Sequence, residues 1–196
     1  MRHFIRRHFA YFFIIFRLQS LIMKKYKLLF YALFLVFISV AQEPIKYHTI
    51  PSFSFIDQDS MPFTEKSVEN KIYVVDFFFI SCPSICPMVS RQMLRVYDHY
   101  LKEDKLMFVS FSIDPKRDTV ERLANYAKNL GVNTEKWKFV TGKKEAIFDI
   151  AKDYFSIAIE NEEAPGGFDH SGRLILIDDK NHIRSFCDGT DPLSVD

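Results

Sequence analysis

The segment Ile72–Phe79 constrains the fold more than any other part of this sequence. β-Branched and aromatic residues dominate it, which is typical of a strand buried on both faces of a sheet. In residues 87–101, the apolar positions that follow Val89 lie 4, 7, 8 and 11 residues after it. Because those spacings share one face of a helix, a buried strand is followed by an amphipathic helix. A buried strand followed by an amphipathic helix predicts an α/β domain.

The segments that follow repeat the alternation of strand and helix. The predicted strands and helices of this part are Leu106–Ser112, Thr119–Leu130, Trp137–Val140 and Lys144–Phe155. Thr119 is a suitable N-cap, and Gly131 is a suitable stop for the same helix. Such alternation implies helical crossovers onto a largely parallel sheet.

Two predicted hairpins enclose this alternating region. The first joins apolar segments at 53–56 and 61–64 through Asp57–Ser60, and the second joins 174–177 and 183–186 through Asp178–Asn181. Both connecting segments are rich in the residues that favour turns. The second hairpin adds an antiparallel edge, so the expected fold is a central mixed sheet flanked by helices.

Length and charge favour one acidic domain behind a basic leader. Residues 1–41 hold seven basic residues and no acidic one, which leaves 19 basic and 25 acidic residues for 42–196. An acidic domain repels a phosphate backbone, and the sequence has no basic stripe interleaved with aromatic residues. We therefore expect no nucleic-acid partner and a single domain over 42–196.

The N-terminal segment has the pattern of a targeting sequence. Three lysines after Met23 precede the apolar stretch Leu28–Val40, and Ser39 and Ala41 suit a cleavage site. A second apolar run, Phe9–Phe16, lies upstream. Two interpretations remain open: Met23 is the true start of a cleaved signal peptide, or both runs form an uncleaved membrane anchor. Either one predicts that 42–196 is exported, to the periplasm or to the periplasmic face of the inner membrane.

Two of the three cysteines, Cys82 and Cys86, follow the strongest predicted strand. Ligands gather at the carboxyl ends of the strands in such sheets. Pro87 suits a first helical turn, which places Cys86 at or next to a helix N-terminus, where the pKa of a thiol is expected to fall. Two thiolates one turn apart bind a soft metal or close a disulfide, and the motif alone does not choose between these. The third cysteine, Cys187, is read as a small buried hydrophobe.

A third metal ligand would come from elsewhere in the chain. His170 follows a loop that contains Gly166 and Gly167 and precedes the strand at 174–177. A loop that enters a central strand can pass close to the cysteines. An isolated loop histidine is more often solvated or a cap, so the residues alone leave its role open.

Several motifs together resemble the SCO/SenC family of copper chaperones, which assist assembly of the copper centre of cytochrome c oxidase. The matching stretches are Phe77–Phe79, Cys82–Pro87, Ser112–Pro115, Arg117–Thr119, Trp137, Thr141–Gly142 and Asp169–Ser171. They occur in the family's order and cover roughly 53–192.

This resemblance implies a thioredoxin-like fold and a copper site formed by Cys82, Cys86 and His170. It also implies a partner that receives the copper, either a subunit of the oxidase or another periplasmic copper protein. Family members continue into a C-terminal helix, whereas Asp191–Leu193 would only begin one here, so we expect that helix to be cut short. Asp169 is either a hydrogen-bond partner of the histidine ring or a turn residue. For Asp114 and Asp118, turn formation and helix capping are sufficient explanations.

Two alternatives to a copper carrier use the same residues. A thiol–disulfide oxidoreductase would use Cys82 and Cys86 as its redox pair. Thioredoxin-type oxidoreductases, however, have two residues between their cysteines and a cis-proline opposite them, whereas this chain has three residues and His170. A peroxidase of the same fold would need a single reactive cysteine in other surroundings. Metal binding without turnover is therefore the favoured interpretation.

Overall fold

The computed structural model describes residues 48–196. Its strands are β1 (Ser54–Asp57), β2 (Pro62–Thr64), β3 (Ile72–Phe78), β4 (Leu106–Ser112), β5 (Trp137–Thr141), β6 (Ala158–Glu160), β7 (Phe168–His170), β8 (Arg173–Ile177) and β9 (Ile183–Asp188). Its α-helices are α1 (Cys86–His99), α2 (Val120–Leu130), α3 (Lys144–Asp153) and α4 (Pro192–Val195). Short 3₁₀ turns occupy Glu65–Val68 and Pro165–Gly167.

Seven strands form the central sheet in the order β2-β1-β5-β4-β3-β8-β9. This arrangement confirms the α/β class, the mixed sheet and the N-terminal hairpin. The narrower expectation of a largely parallel sheet is wrong, since only β3, β4 and β5 pair in parallel. Antiparallel pairing joins β1 to β5 and β8 to β3. Helical crossovers connect only the three central strands, and both hairpins attach beside them.

Both faces of the central strands are buried, which explains their continuous apolar sequences. On one face, Phe78 contacts Tyr126 of α2, with 5.4 Å between ring centroids. On the other face, Phe77 lies 5.8 Å from Tyr154, the C-cap residue directly after α3. The phenylalanines around the first hairpin cover the same face near Phe111. Helices α1 and α2 therefore cover one side, and α3 with the hairpin covers the other.

A second, two-stranded sheet pairs β6 with β7, and neither strand was predicted from the sequence. Each strand is only three residues long, too short for an alternation of apolar and polar residues to be recognised. The turn between them includes Gly166 and Gly167, both with positive φ, a conformation that glycine adopts without strain. His170 is the last residue of β7.

The predicted signal peptide or anchor at 1–41 lies outside the described residues. Between residues 48 and 196, no helix has both the length and the apolar character needed to cross a membrane. The C-terminal segment expected to begin a helix does so, since α4 extends over four residues from Pro192.

Candidate metal centre

The loop between β3 and α1 positions the two cysteines. The backbone N–H of Cys82 donates to the carbonyl of Phe79 at 3.2 Å, which turns the chain directly after the strand. Cys86 is the first residue of α1, and Pro87 is the second. Ile85, at the N-cap, supplies no capping side chain. Cys86 is therefore held at the start of the helix and Cys82 in the loop that leads to it, as the sequence predicted. Both cysteines are buried.

His170 approaches both sulfurs from the second sheet. Its Nε2 atom lies 3.5 Å from the Sγ of Cys82 and 3.5 Å from the Sγ of Cys86. The three ligand atoms lie within 4.8 Å of one another, and no other such group of His, Cys, Asp or Glu occurs among residues 48–196. The three residues named from the sequence therefore form one cluster.

The two thiols differ in acidity. Burial disfavours the Cys82 thiolate, but hydrogen bonds from the backbone N–H groups of Cys86 and Ser84 outweigh it, and the pKa of Cys82 falls. Burial raises the pKa of Cys86 far above its usual value, and the adjacent Cys82 raises it further. The fall in pKa expected for Cys86 at the helix N-terminus is thus wrong, because burial there outweighs the effect of the helix N-terminus. The thiol whose pKa falls is Cys82, in the preceding loop.

The histidine is held in its metal-binding form. Burial lowers the pKa of His170, against weaker opposing effects from the backbone of Ser171 and Phe77 and from the charge of Asp169. A lowered pKa keeps the imidazole neutral at pH 7, which leaves a nitrogen lone pair available for a metal.

Two buried carboxylates, Asp114 and Asp118, lie in the turn after β4, and from the sequence they were expected to have only turn and capping roles. Asp118 is fully buried and accepts hydrogen bonds from the Ile80 backbone N–H at 3.0 Å and from the Ser112 hydroxyl at 2.7 Å. It therefore ties the turn after β4 to the loop that carries Cys82. Asp114 forms an ion pair with Arg117. The motif that contains both aspartates signalled their importance, but only the fold shows what they contact.

The other residues considered as candidate ligands or ligand partners are not part of the cluster. Asp169 is the middle residue of β7 and not a turn residue, and its carboxylate accepts a hydrogen bond from the Asn161 side chain at 2.7 Å. His48 and His99 are exposed, as expected for solvated side chains. His182 was also expected to point into water but is only partly exposed, with its Nδ1 atom 3.5 Å from Asp178. Cys187 is partly buried on β9, and burial raises the pKa of its thiol.

The cluster fits a metal ion. Metal–sulfur bonds of about 2.3 Å and metal–nitrogen bonds of about 2.0 Å allow a sulfur and a nitrogen on one ion to be at most about 4.3 Å apart. The observed separations of 3.5 Å lie within that limit. Two thiol sulfurs and one imidazole nitrogen select soft or borderline metals over magnesium and calcium.

Comparison with known proteins identifies the family of this chain. The family model described as SCO1/SenC matches residues 41–194. A SCO1 protein homolog of Bacillus subtilis is 26% identical over 138 residues, which span 69% of this chain and 71% of that protein.

Two solved structures have the same fold. A SCO1/SenC family lipoprotein from Bacillus anthracis is 29% identical, with a TM-score of 0.68 over 76% of this chain and 88% of its own. ScoI of Arabidopsis thaliana, solved with copper bound, is 28% identical, with a TM-score of 0.63 over 74% of this chain and 91% of its own.

Together, the sheet order and the dithiol loop after a central strand define a thioredoxin-like protein with a Cys–Cys–His cluster. The chain belongs to the SCO1/SenC family, since the family model covers most of its length.

Proposed function

We propose that this protein binds one copper ion through Cys82, Cys86 and His170 and passes it to a protein acceptor. The observation that carries the proposal is the position of the His170 Nε2 atom, 3.5 Å from both sulfurs. An imidazole late in the chain is brought to two thiols from its middle by the separate β6–β7 sheet. A related ScoI has been solved with copper bound, which supports copper as the metal.

The donor set suits copper in both oxidation states. Thiolates favour Cu(I), and imidazole is a good ligand for Cu(II). Metal binding displaces the proton of Cys86, because the raised pKa keeps that thiol protonated in the metal-free protein. Cys82, with its lowered pKa, gives up its proton more readily than Cys86. Stepwise exchange of these ligands would let the thiols of an acceptor take the metal.

We further propose the setting in which this transfer occurs. The family resemblance points to a copper-receiving subunit of cytochrome c oxidase, or another periplasmic copper protein, as the acceptor. The N-terminal pattern supports export, with the domain free in the periplasm or held at the inner membrane. A lipoprotein among the related solved structures agrees with an attachment to a membrane.

A thiol–disulfide oxidoreductase is the second candidate, and the difference in acidity between the two thiols favours it. The Cys82 thiolate would attack a disulfide of the acceptor, forming a mixed disulfide and releasing one acceptor thiolate. Cys86 would lose its proton and attack the Cys82 sulfur, which releases the second acceptor thiolate and leaves a Cys82–Cys86 disulfide. This reaction would reduce the acceptor's cysteines before they bind metal.

Competitive titration with Cu(I) and Cu(II) tests the copper proposal. We expect one copper per protein, and an affinity reduced by orders of magnitude in Cys82→Ser and Cys86→Ser. His170→Ala should weaken binding of Cu(II) strongly. The matched controls, Cys187→Ser and His99→Ala, should bind copper as the parent does. Unchanged affinity of His170→Ala for both oxidation states would show that the ligand assignment is wrong.

The oxidoreductase is tested with the metal-free protein. The reduced form is mixed with an oxidised dithiol peptide, and the disulfide formed in the protein is located by mass spectrometry. Exchange that requires both Cys82 and Cys86 supports this second function. Absence of any exchange at neutral pH removes it.

A further inference from the structure

Arg117 connects the loop before His170 to the rest of the domain. Its guanidinium pairs with the buried carboxylate of Asp114 and donates from Nη2 to the carbonyl of Gly166 at 2.8 Å. The guanidinium carbon also lies 5.9 Å from the ring centroid of Phe79 and 5.7 Å from that of Phe168. One side chain therefore contacts the turn after β4, the end of β3 and the turn that leads into β7.

Phe79, which Arg117 contacts, also contacts the proposed metal ligand His170. The ring of Phe79 lies edge-on to the ring of His170, with 5.3 Å between centroids. Phe168, two residues before the histidine, is buried and lies 5.2 Å from Phe79. Gly166 lies directly against Phe79, because a Cβ atom added there would come within 2.6 Å of that ring. The position of the turn at Gly166 is thus coupled to the position of His170.

We propose that Arg117 is a positioning residue for the third metal ligand: it fastens the 161–167 loop against Phe79 and so keeps His170 within reach of both sulfurs. This inference rests on the proposed function, since it takes His170 as a ligand of copper. The surface ion pair between Lys144 and Glu160 also connects β6 to the domain, at 2.9 Å. That pair is exposed, and exposed pairs contribute little.

The arrangement predicts a selective defect. A ligand carried on a loop binds well only if the loop is already held in the bound conformation. Without the Arg117 contacts, His170 would leave the cluster more often, while the loop that carries the cysteines keeps its own hydrogen bonds. Two thiolates still bind Cu(I), whereas Cu(II) depends on the nitrogen ligand. Loss of Arg117 should therefore weaken Cu(II) binding more than Cu(I) binding.

Arg117→Gln tests this, with Arg95→Gln as the matched control. Arg95 forms an ion pair with Asp196 and has a similar exposure, 46% against 45% for Arg117. We expect Arg117→Gln to lower the affinity for Cu(II) by about 10- to 100-fold and that for Cu(I) by less than about threefold. In the metal-free protein, amide hydrogen exchange over 158–171 should be faster than in the parent. Arg95→Gln should change neither property.

A glycine pair tests the same idea without removing a charge. Gly166→Ala places a methyl group against Phe79 at positive φ. Gly167→Ala is also strained by a positive φ, but nothing lies within 4 Å of the added carbon. We expect Gly166→Ala to reproduce the selective loss of Cu(II) affinity. Gly167→Ala should keep more of that affinity.

Three outcomes would overturn the proposal. The first is parental Cu(II) affinity in Arg117→Gln and Gly166→Ala, with normal copper binding by the parent. The second is an equal loss of Cu(I) and Cu(II) affinity in both variants, which would assign Arg117 to the cysteine loop. The third is an equal effect of Gly166→Ala and Gly167→Ala. Failure of the parent itself to bind copper would instead refute the proposed function.

Discussion

At the scale of single residues, Asp76 is the least expected side chain of the core. It lies in β3, is 2% exposed, and its Oδ1 atom has no hydrogen-bond partner within the described part of the chain. Burial raises its pKa to about 7, although a hydrogen bond with Ser110 opposes the shift. Its charge also raises the pKa of Cys86 and Tyr126. A buried carboxyl that titrates near neutral pH makes stability depend on pH.

The sign of that dependence follows from linkage. The pKa of Asp76 is about 7 in the folded protein, against an ordinary value of 3.8. The folded state therefore binds this proton more tightly than the unfolded state does. The stabilisation that the protonated Asp76 contributes is fully present below about pH 4 and is lost as the pH rises through 7. Between pH 5 and pH 8, the free energy of unfolding of the parent should fall by about 3 kcal/mol relative to that of Asp76→Asn, whose side chain cannot ionise.

Urea denaturation of the metal-free protein at the two pH values measures this difference. Asp98→Asn, which changes an exposed carboxylate on α1, is the control and should follow the pH profile of the parent. Parallel profiles for the parent and Asp76→Asn would show that the buried carboxyl is ionised throughout this pH range.

At the scale of elements, Asp118 joins two connections at the same end of the sheet. It accepts from the Ile80 N–H, two residues before Cys82, and from Ser112 at the end of β4. Asp118→Ala would leave the Ile80 N–H without this partner, at a cost of about 1–3 kcal/mol in the free energy of unfolding. Because Ile80 belongs to the cysteine loop, the affinity for Cu(I) should fall by about tenfold.

Cu(I) competition and urea denaturation test this prediction together. Asp149→Ala, which removes an exposed carboxylate paired with Lys152 on α3, is the control. The effect on Cu(I) also separates Asp118 from Arg117, whose loss should weaken Cu(II) binding selectively. Parental Cu(I) affinity in Asp118→Ala would mean that the loop holds its shape without this carboxylate.

The same elements show how far the sequence determines the fold. Long segments with one clear period, such as β3, β4 and α1, were predicted to within about two residues, because their burial leaves a strong pattern. The three-residue strands β6 and β7 carry no period, and their pairing depends on a turn that becomes recognisable only once the chain is folded. The strand that ends at His170 was therefore missed, although His170 was identified as a candidate ligand through the motif Asp169–Ser171.

Long-range contacts explain the other misses. Asp118 looked like a helix-capping residue because its partner, Ile80, lies 38 residues away in the chain. The sequence also gave no sign that burial would reverse the expected acidity of Cys86, since burial depends on how β7 packs over the loop. Local patterns therefore predicted most of the elements, whereas the contact between His170 and the distant cysteines was expected only from the family resemblance.

At the scale of the whole molecule, three separate segments beside the central sheet form the metal cluster and its surroundings. The loop after β3 carries the cysteines, the turn after β4 carries Asp114 and Asp118, and the β6–β7 sheet carries the histidine. Unfolding separates all of these, so an ion bound by the cluster should stabilise the entire domain rather than one loop.

Copper binding should therefore raise the thermal midpoint of unfolding. Free copper at about a thousand times its dissociation constant stabilises the folded state by about 4 kcal/mol, and less if unfolded thiols also bind the metal. For a domain of this size, that corresponds to a rise of about 10 °C. Calorimetry of the reduced protein with and without Cu(I) measures the shift, and a competing chelator should reverse it. The Cys82→Ser/Cys86→Ser variant should show no shift, and an equal rise in that variant would place the stabilising copper outside the cluster.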